Sequence, residues 1–211
     1  MVSGIDRPGP ASADTAGGPV VAIVSSAGGL VASGAVLAGL PADLRAAVIV
    51  LQHMAPDYKS VLPEILGRRT PLPVAAARDG QPLLPGRVAV APPGSHLLVT
   101  AGRRLALSPS GQYPPSRPSA DLLLVSLGLA VGPDAIAVVL SGKGNDGATG
   151  AAAVHRFGGT VIATDAATSI HFDMPAACID QDEIVDHVVP LDRVAPLLLG
   201  LVHRPCLGAH A

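Results

Sequence analysis

One stretch limits the fold more than any other: the apolar, β-branched run Ile136-Ala137-Val138-Val139-Leu140 leads straight into Ser141-Gly142-Lys143-Gly144-Asn145-Asp146-Gly147. A small-residue segment of helical length, 148–154, comes next. Strand, glycine-rich turn and helix in that order begin a βαβ unit, which needs a parallel partner strand. The loop admits two chemistries. Gly142, Gly144 and Gly147 fit G-x-G-x-x-G, and Asp165 follows the next strand-like run, 160–164, where a dinucleotide fold keeps its ribose-binding acid. The other reading gives the work to Asp146.

The rest of the chain repeats the pattern. Buried-strand runs at 20–24 and 46–51 alternate with helical segments at 30–40, 58–69, 120–131 and 191–202. Short strands are expected at 74–77 and 87–91, around Asp79-Gly80, with a hairpin at 96–99 and 104–107 and a last strand over 182–189. Ser119 has the character of an N-cap for the 120–131 helix, with Asp121 favourable in its first turn. These elements predict an α/β fold: a three-layer, doubly wound, mainly parallel sheet with an antiparallel hairpin added. Residues 1–18, rich in Gly, Pro, Ser and Asp, read as a disordered leader, 19–203 as one domain and 204–211 as a loose tail.

Composition removes several function classes. There is no Trp, only two Tyr and two Phe, and the net charge is −2. Stacking platforms for bases and a general attraction to phosphate are both missing, so a nucleic-acid partner is not expected. Cys178 and Cys206 make no disulfide framework and read as reduced thiols, with Cys178 in the core. No His, Cys, Asp and Glu residues share metal-site spacing, so no metal or cofactor is expected. No run approaches ~18 apolar residues and no signal-peptide core is visible. Membrane insertion is not expected, and the placement is read as cytoplasmic.

In open α/β sheets, ligands and reactive groups gather beyond the carboxyl ends of the strands. Three strands here end in Ser25/Ser26, His53 and Asp146. If those strands are parallel, a hydroxyl, an imidazole and a carboxylate share one edge, which are the parts of a Ser-His-Asp hydrolase. Ser26 is the better nucleophile, because Ala27-Gly28-Gly29 lets a substrate approach and opens a helix whose N-terminus favours an oxyanion. Spacing alone leaves the bland alternative open, in which Ser and His punctuate loops and Asp146 is an N-cap.

Five motifs in order sharpen this. Ser26-Ala-Gly-Gly, Gln52-His53-Met54, Arg117-Pro-Ser-Ala-Asp121, Leu140-Ser-Gly-Lys-Gly-Asn-Asp-Gly-Ala148 and Met174-Pro-Ala-Ala177 resemble the catalytic domain of the CheB-type chemotaxis methylesterases. The resemblance runs from about Val20 to Val202. It implies hydrolysis of glutamyl γ-methyl esters on the cytoplasmic helices of chemoreceptors, and deamidation of receptor glutamines as a further activity. It also implies Ser26 as nucleophile, His53 as general acid/base, Asp146 as its orienting carboxylate, and the Lys143 amide in the oxyanion hole, beside Ala27. Arg117 is expected either to contact substrate or to support its loop through an ion pair, and Met174 to wall the site.

There are departures from the family pattern. Ala27 stands for a Thr, Lys143 for a Met, and His171 and Asp173 for smaller residues. The residues before the domain are too few for a receiver domain. The expectation is a stand-alone esterase, controlled by an external regulatory protein or constitutively active, and unmoved by acetyl phosphate. Two competitors remain at this level: a dinucleotide-binding oxidoreductase using the 142–147 loop and Asp165, and a catalytically idle signalling scaffold. His96 is expected to be a structural loop residue and His155 an exposed one.

Overall fold

The computed structural model of the protein describes residues 17–57, 59–111, 116–181 and 183–203. The expected leader up to residue 16, the tail from 204 and Cys206 therefore lie outside the described residues. Nine strands appear: β1 (Val20–Ser25), β2 (Ala47–Gln52), β3 (Val74–Ala76), β4 (Val88–Val90), β5 (Ser95–Val99), β6 (Leu105–Pro109), β7 (Ala135–Val139), β8 (Thr160–Thr164) and β9 (His187–Val189). Six helices join them: α1 (Gly29–Ala38), α2 (Leu62–Gly67), α3 (Ala120–Val131), α4 (Ala148–Arg156), α5 (Asp173–Ile179) and α6 (Leu191–Val202).

Seven strands form one parallel sheet in the order β3-β4-β2-β1-β7-β8-β9. Strands β5 and β6 pair antiparallel as a separate hairpin. The hairpin sits on α3, where the Val99 amide donates to Ser126 Oγ at 3.0 Å. Central strands covered on both faces need not alternate apolar with polar residues, which explains the continuous Val and Ile runs of β1, β2 and β7. Val21 and Ile23 pack with Val36, Leu37, Leu66 and Leu198 of α1, α2 and α6. Ala22 and Val24, on the other face, pack with Leu123, Leu127 and Val154 of α3 and α4 and with Leu97 of the hairpin. This is the expected three-layer, doubly wound architecture.

The small residues earn their place where α3 meets α4. A Cβ at Gly150 would lie 2.6 Å from that of Leu124, and one at Gly128 would lie 3.2 Å from Val154 Cα. Only a residue with no side chain permits that approach.

Two sequence expectations are corrected. The helix expected over 58–69 begins only at Leu62, because Pro63 is tolerated in a first turn but not further in, and Ser60 Oγ accepts the Leu62 amide at 3.2 Å. The strand expected over 182–189 shrinks to His187–Val189. Before it, the Asp186 carboxylate takes the Val161 amide at 2.7 Å, in the place of a strand partner. The two short strands expected around Asp79-Gly80 are β3 and β4, which pair in parallel. Residues 173–179, of which 174–177 had been read as a motif without an assigned element, form α5, with Asp173 and Pro175 in its first turn.

The order of connection reverses between β1 and β7. From β1 the chain proceeds to β2 on one side, whereas from β7 it proceeds to β8 and β9 on the other. A crevice therefore opens beyond the carboxyl ends of β1 and β7, where such sheets hold their ligands.

Candidate active site

The register of β1 and β2 pairs Ser25 with Gln52, so Ser26 and His53 leave neighbouring strands side by side. The His53 amide donates to the Ser25 carbonyl at 3.1 Å, and the Ser26 amide to the Ser141 carbonyl at 3.0 Å, which ties both turns to the end of β7. Strand alternation separates the two serines. Ser25 is fully buried with its hydroxyl 3.5 Å from that of Ser33 on α1, while Ser26 is half-buried at the crevice. A Cβ at Gly142 would lie 2.9 Å from Ser26 Cβ and overlap Met174 Sδ, so the glycine loop passes directly against the Ser26 turn. Gly28, with φ of 81°, makes that turn possible.

His53 Nε2 lies 2.8 Å from Asp146 Oδ2. With Nε2 so engaged, Nδ1 is the nitrogen left to serve a nucleophile. Among the described residues no hydrogen bond joins Ser26 to His53. Asp146 accepts three further bonds: from the Ala120 amide at 2.7 Å, the Asp121 amide at 3.0 Å and Ser119 Oγ at 3.1 Å. Burial alone would raise its carboxyl. The His53 hydrogen bond and the Asp121 and Ala120 amides outweigh that and hold it below the usual carboxylate range. Asp146 is thus an N-terminal cap as well as the partner of His53, but it caps α3, not the α4 helix that follows it.

Ser119 is the expected N-cap, its Oγ accepting the Leu122 amide at 3.3 Å. Behind it, buried His96 takes the Ser119 amide on Nδ1 at 3.0 Å, and its Nε2 donates to the Ser110 carbonyl at 3.2 Å. That pair of bonds fixes the neutral imidazole with its proton on Nε2. His96 is structural, as expected, and it braces the residue that holds Asp146.

The backbone amides of Ala27 and Lys143 have no acceptor among the described residues. Their loops are laced together: Ser141 Oγ donates to the Ala27 carbonyl at 2.8 Å and accepts the His171 amide at 2.9 Å, while the Gly142 amide donates to the His171 carbonyl at 2.9 Å. A serine turn, a histidine held by a capped carboxylate and unpaired backbone amides on one sheet edge are the parts that acyl transfer requires.

Comparison with known proteins agrees. Residues 21–198 match the family model described as CheB methylesterase. The chain belongs to that family. It is 41% identical over 202 residues to protein-glutamate methylesterase/protein-glutamine glutaminase 1 of Myxococcus xanthus (strain DK1622), covering 93% of this chain and 58% of that protein. Protein-glutamate methylesterase/protein-glutamine glutaminase of Nocardioides sp. (strain ATCC BAA-499 / JS614) is 40% identical over 201 residues, covering 92% of this chain and 54% of its own length. The crystal structure of the Thermotoga maritima CheB methylesterase catalytic domain superposes with a TM-score of 0.83 at 34% identity, covering 88% of this chain and 99% of that one. The chain spans about half the length of the curated relatives it matches.

For a CheB-family chain the glycine loop reads differently from a dinucleotide cradle. Asp121 Oδ1 accepts the Gly147 amide at 2.9 Å and the Gly150 amide at 2.8 Å, which occupies the helix N-terminus that a pyrophosphate would need. Asp165 is likewise engaged, its Oδ1 accepting the Thr168 amide at 2.9 Å and hydroxyl at 2.6 Å. Arg117 makes no ion pair among the described residues. Its Nη1 donates to the Gly111 carbonyl at 2.9 Å and its carbonyl accepts the Met54 amide at 2.9 Å. Its buried Nε is unpartnered. With His53, Met54, Ala55, Pro56 and Ser116 it lines a cleft of about 430 Å³. Met174 is buried against Gly142 and its amide donates to the Gly142 carbonyl at 3.0 Å. Lys143 and Asp173 are exposed on the rim. Among the described residues no His, Cys, Asp and Glu cluster could hold a metal. Sequence reasoning gave the side chains of Ser119, Asp121, His96 and Ser141 no role of their own in the site; Ser119 and Asp121 stood within one motif and as helix-cap residues, and Ser141 within another motif.

Proposed function

We propose that this chain is a serine esterase that hydrolyses glutamyl γ-methyl esters on the cytoplasmic helices of chemoreceptors, releasing glutamate and methanol. The observation that carries this reading is the 2.8 Å contact between His53 Nε2 and a thrice-capped Asp146, at the strand end beside Ser26. The names of the relatives support the substrate class, and the same chemistry on a glutamine side chain would release ammonia. Residues 19–203 are proposed as the catalytic unit.

In the reaction, Ser26 Oγ attacks the γ-carbonyl carbon while His53 Nδ1 takes its proton. Negative charge gathers on the carbonyl oxygen, where the Ala27 and Lys143 amides are available to donate. Asp146, held ionised by its donors, keeps the His53 Nε2 proton in place and stabilises the imidazolium. The C–O bond to the methoxy group breaks as His53 returns the proton, and methanol leaves an acyl ester on Ser26. Water then attacks that ester, His53 takes the water proton and gives it to Ser26, and the free carboxylate departs. Arg117 is proposed to meet the substrate across the cleft, and Met174 to wall it. No described helix is long and apolar enough to cross a membrane, which is compatible with a cytoplasmic placement. Control by a separate regulatory protein is part of the same proposal.

The test is methanol release from a methylated receptor by wild type, Ser26→Ala and His53→Ala. The reading expects release by wild type and loss by at least about 10³-fold in each variant. Equal release by all three would reject it.

A further inference from the structure

We propose that Asp121 is a positioning residue of the triad: its carboxylate clamps the start of α4, and with it the Asp146 loop, against the start of α3. The two acids are exchanged between helices. Asp146, just ahead of α4, receives the Ala120 and Asp121 amides that open α3. Asp121, in the first turn of α3, receives the Gly147 and Gly150 amides that open α4. Gly147 directly follows Asp146, so Asp121 fixes the backbone one bond beyond the carboxylate that holds His53.

Three features favour positioning over ordinary capping. A Cβ at Gly150 would lie 3.0 Å from both the α-carbon and the carbonyl oxygen of Asp121, so the helix is built to let this residue come close. Gly147, at φ of 107°, aims its amide back at Asp121 through a conformation that side chains disfavour. Burial and the neighbouring Asp146 raise the Asp121 carboxyl, so keeping it ionised costs stability that a neutral Ser or Asn cap would avoid. The clamp reaches the reaction through geometry: it sets where Asp146 Oδ2 stands, and hence which way His53 points its Nδ1 at Ser26.

This rests on the triad reading, so the test has one arm that needs no turnover. In a Ser26→Ala background with isotope-labelled histidine, the His53 nitrogen shifts report the tautomer. They should show a proton fixed on Nε2 with Asp121 present, a tautomer mixture in Asp121→Ala, and the fixed form again in Asp121→Asn, whose Oδ1 still accepts both amides. In the active enzyme Asp121→Ala should lower kcat by about 10²-fold with KM within about 2-fold, as a misplacement near 1 Å does, and Asp121→Asn should recover most of that loss. If Asp121→Ala does not fold, Gly150→Ala, which wedges the helices, should show the same kcat loss at near-constant KM.

A folded Asp121→Ala or Gly150→Ala protein with wild-type kcat, or an unchanged tautomer in Asp121→Ala, overturns the clamp. An Asp121→Asn protein as impaired as Asp121→Ala overturns it as well, since charge and not amide anchoring would then matter. Absence of methanol release by wild type would instead reject the proposed function, leaving the tautomer arm to judge the clamp.

Discussion

Asp146 does two jobs with one carboxylate, and the two have separable signatures. Replacing it by Asn keeps an oxygen for the α3 amides but reverses the tautomer preference of His53, and the expected fall in kcat is about 10⁴-fold. Folding stability should carry the other signature. The folded carboxyl lies below its usual value of 3.8, so the folded state binds this proton less tightly than the unfolded chain. Its stabilising contribution is therefore fully present above that value and is lost as pH falls through the folded pKa. Chemical denaturation of wild type and Asp146→Asn across acid pH should show their stability difference shrinking below about pH 4. A difference that stays constant to strongly acid pH would contradict the capped-carboxylate description. Gly142 is the other residue with a sharp expectation. Because a Cβ there overlaps Met174 Sδ and crowds Ser26, Gly142→Ala should fold yet lose on the order of 10²-fold in kcat, read from steady-state hydrolysis.

Much of the element scale was legible in the sequence, and what was missed has a common cause. Ser26, His53 and Asp146 could be placed together because each follows a buried apolar run, and parallel strands deliver their ends to one edge. The capping donors to Asp146 could not be read in the same way. A carboxylate just ahead of a helix reads as the cap of that helix. Only the packing of α3 on α4, with Gly128 and Gly150 at the contact, shows that each helix is capped by the other's acid. Proline marks both short helices: Pro63 delays α2, and Pro175 lies in the first turn of α5, where only a motif had been read. The contacts of Arg117 with Gly111 and Met54 were not legible, since loop geometry fixes them. At this scale Ser119→Ala removes both the α3 N-cap and one donor to Asp146. It should cost about 1 kcal/mol in urea denaturation, together with a measurable fall in kcat.

At the scale of the whole molecule, two cores of unequal character flank the sheet. The face toward α1, α2 and α6 is filled mainly by Val, Ile and Leu, with three alanines among them. The face toward α3 and α4 admits alanines and glycines, and those small residues let the two helices close on the site. Cys178 lies on this second face, where burial and Asp121 push its thiol up to about 12, so it is inert packing and no rival nucleophile. A cavity on this side should be felt in stability: Leu127→Ala, at a fully buried position, is expected to lose about 3 kcal/mol in denaturant unfolding.

The reversal of strand order between β1 and β7 brings the three groups to one crevice, and the claim that they act there as a serine esterase can be tested directly. After reaction with a fluorophosphonate and proteolysis, the account predicts a single phosphonyl adduct on the peptide containing Ser26, absent from Ser26→Ala and strongly slowed in His53→Ala. An adduct on another residue, or labelling that persists in Ser26→Ala, would contradict it.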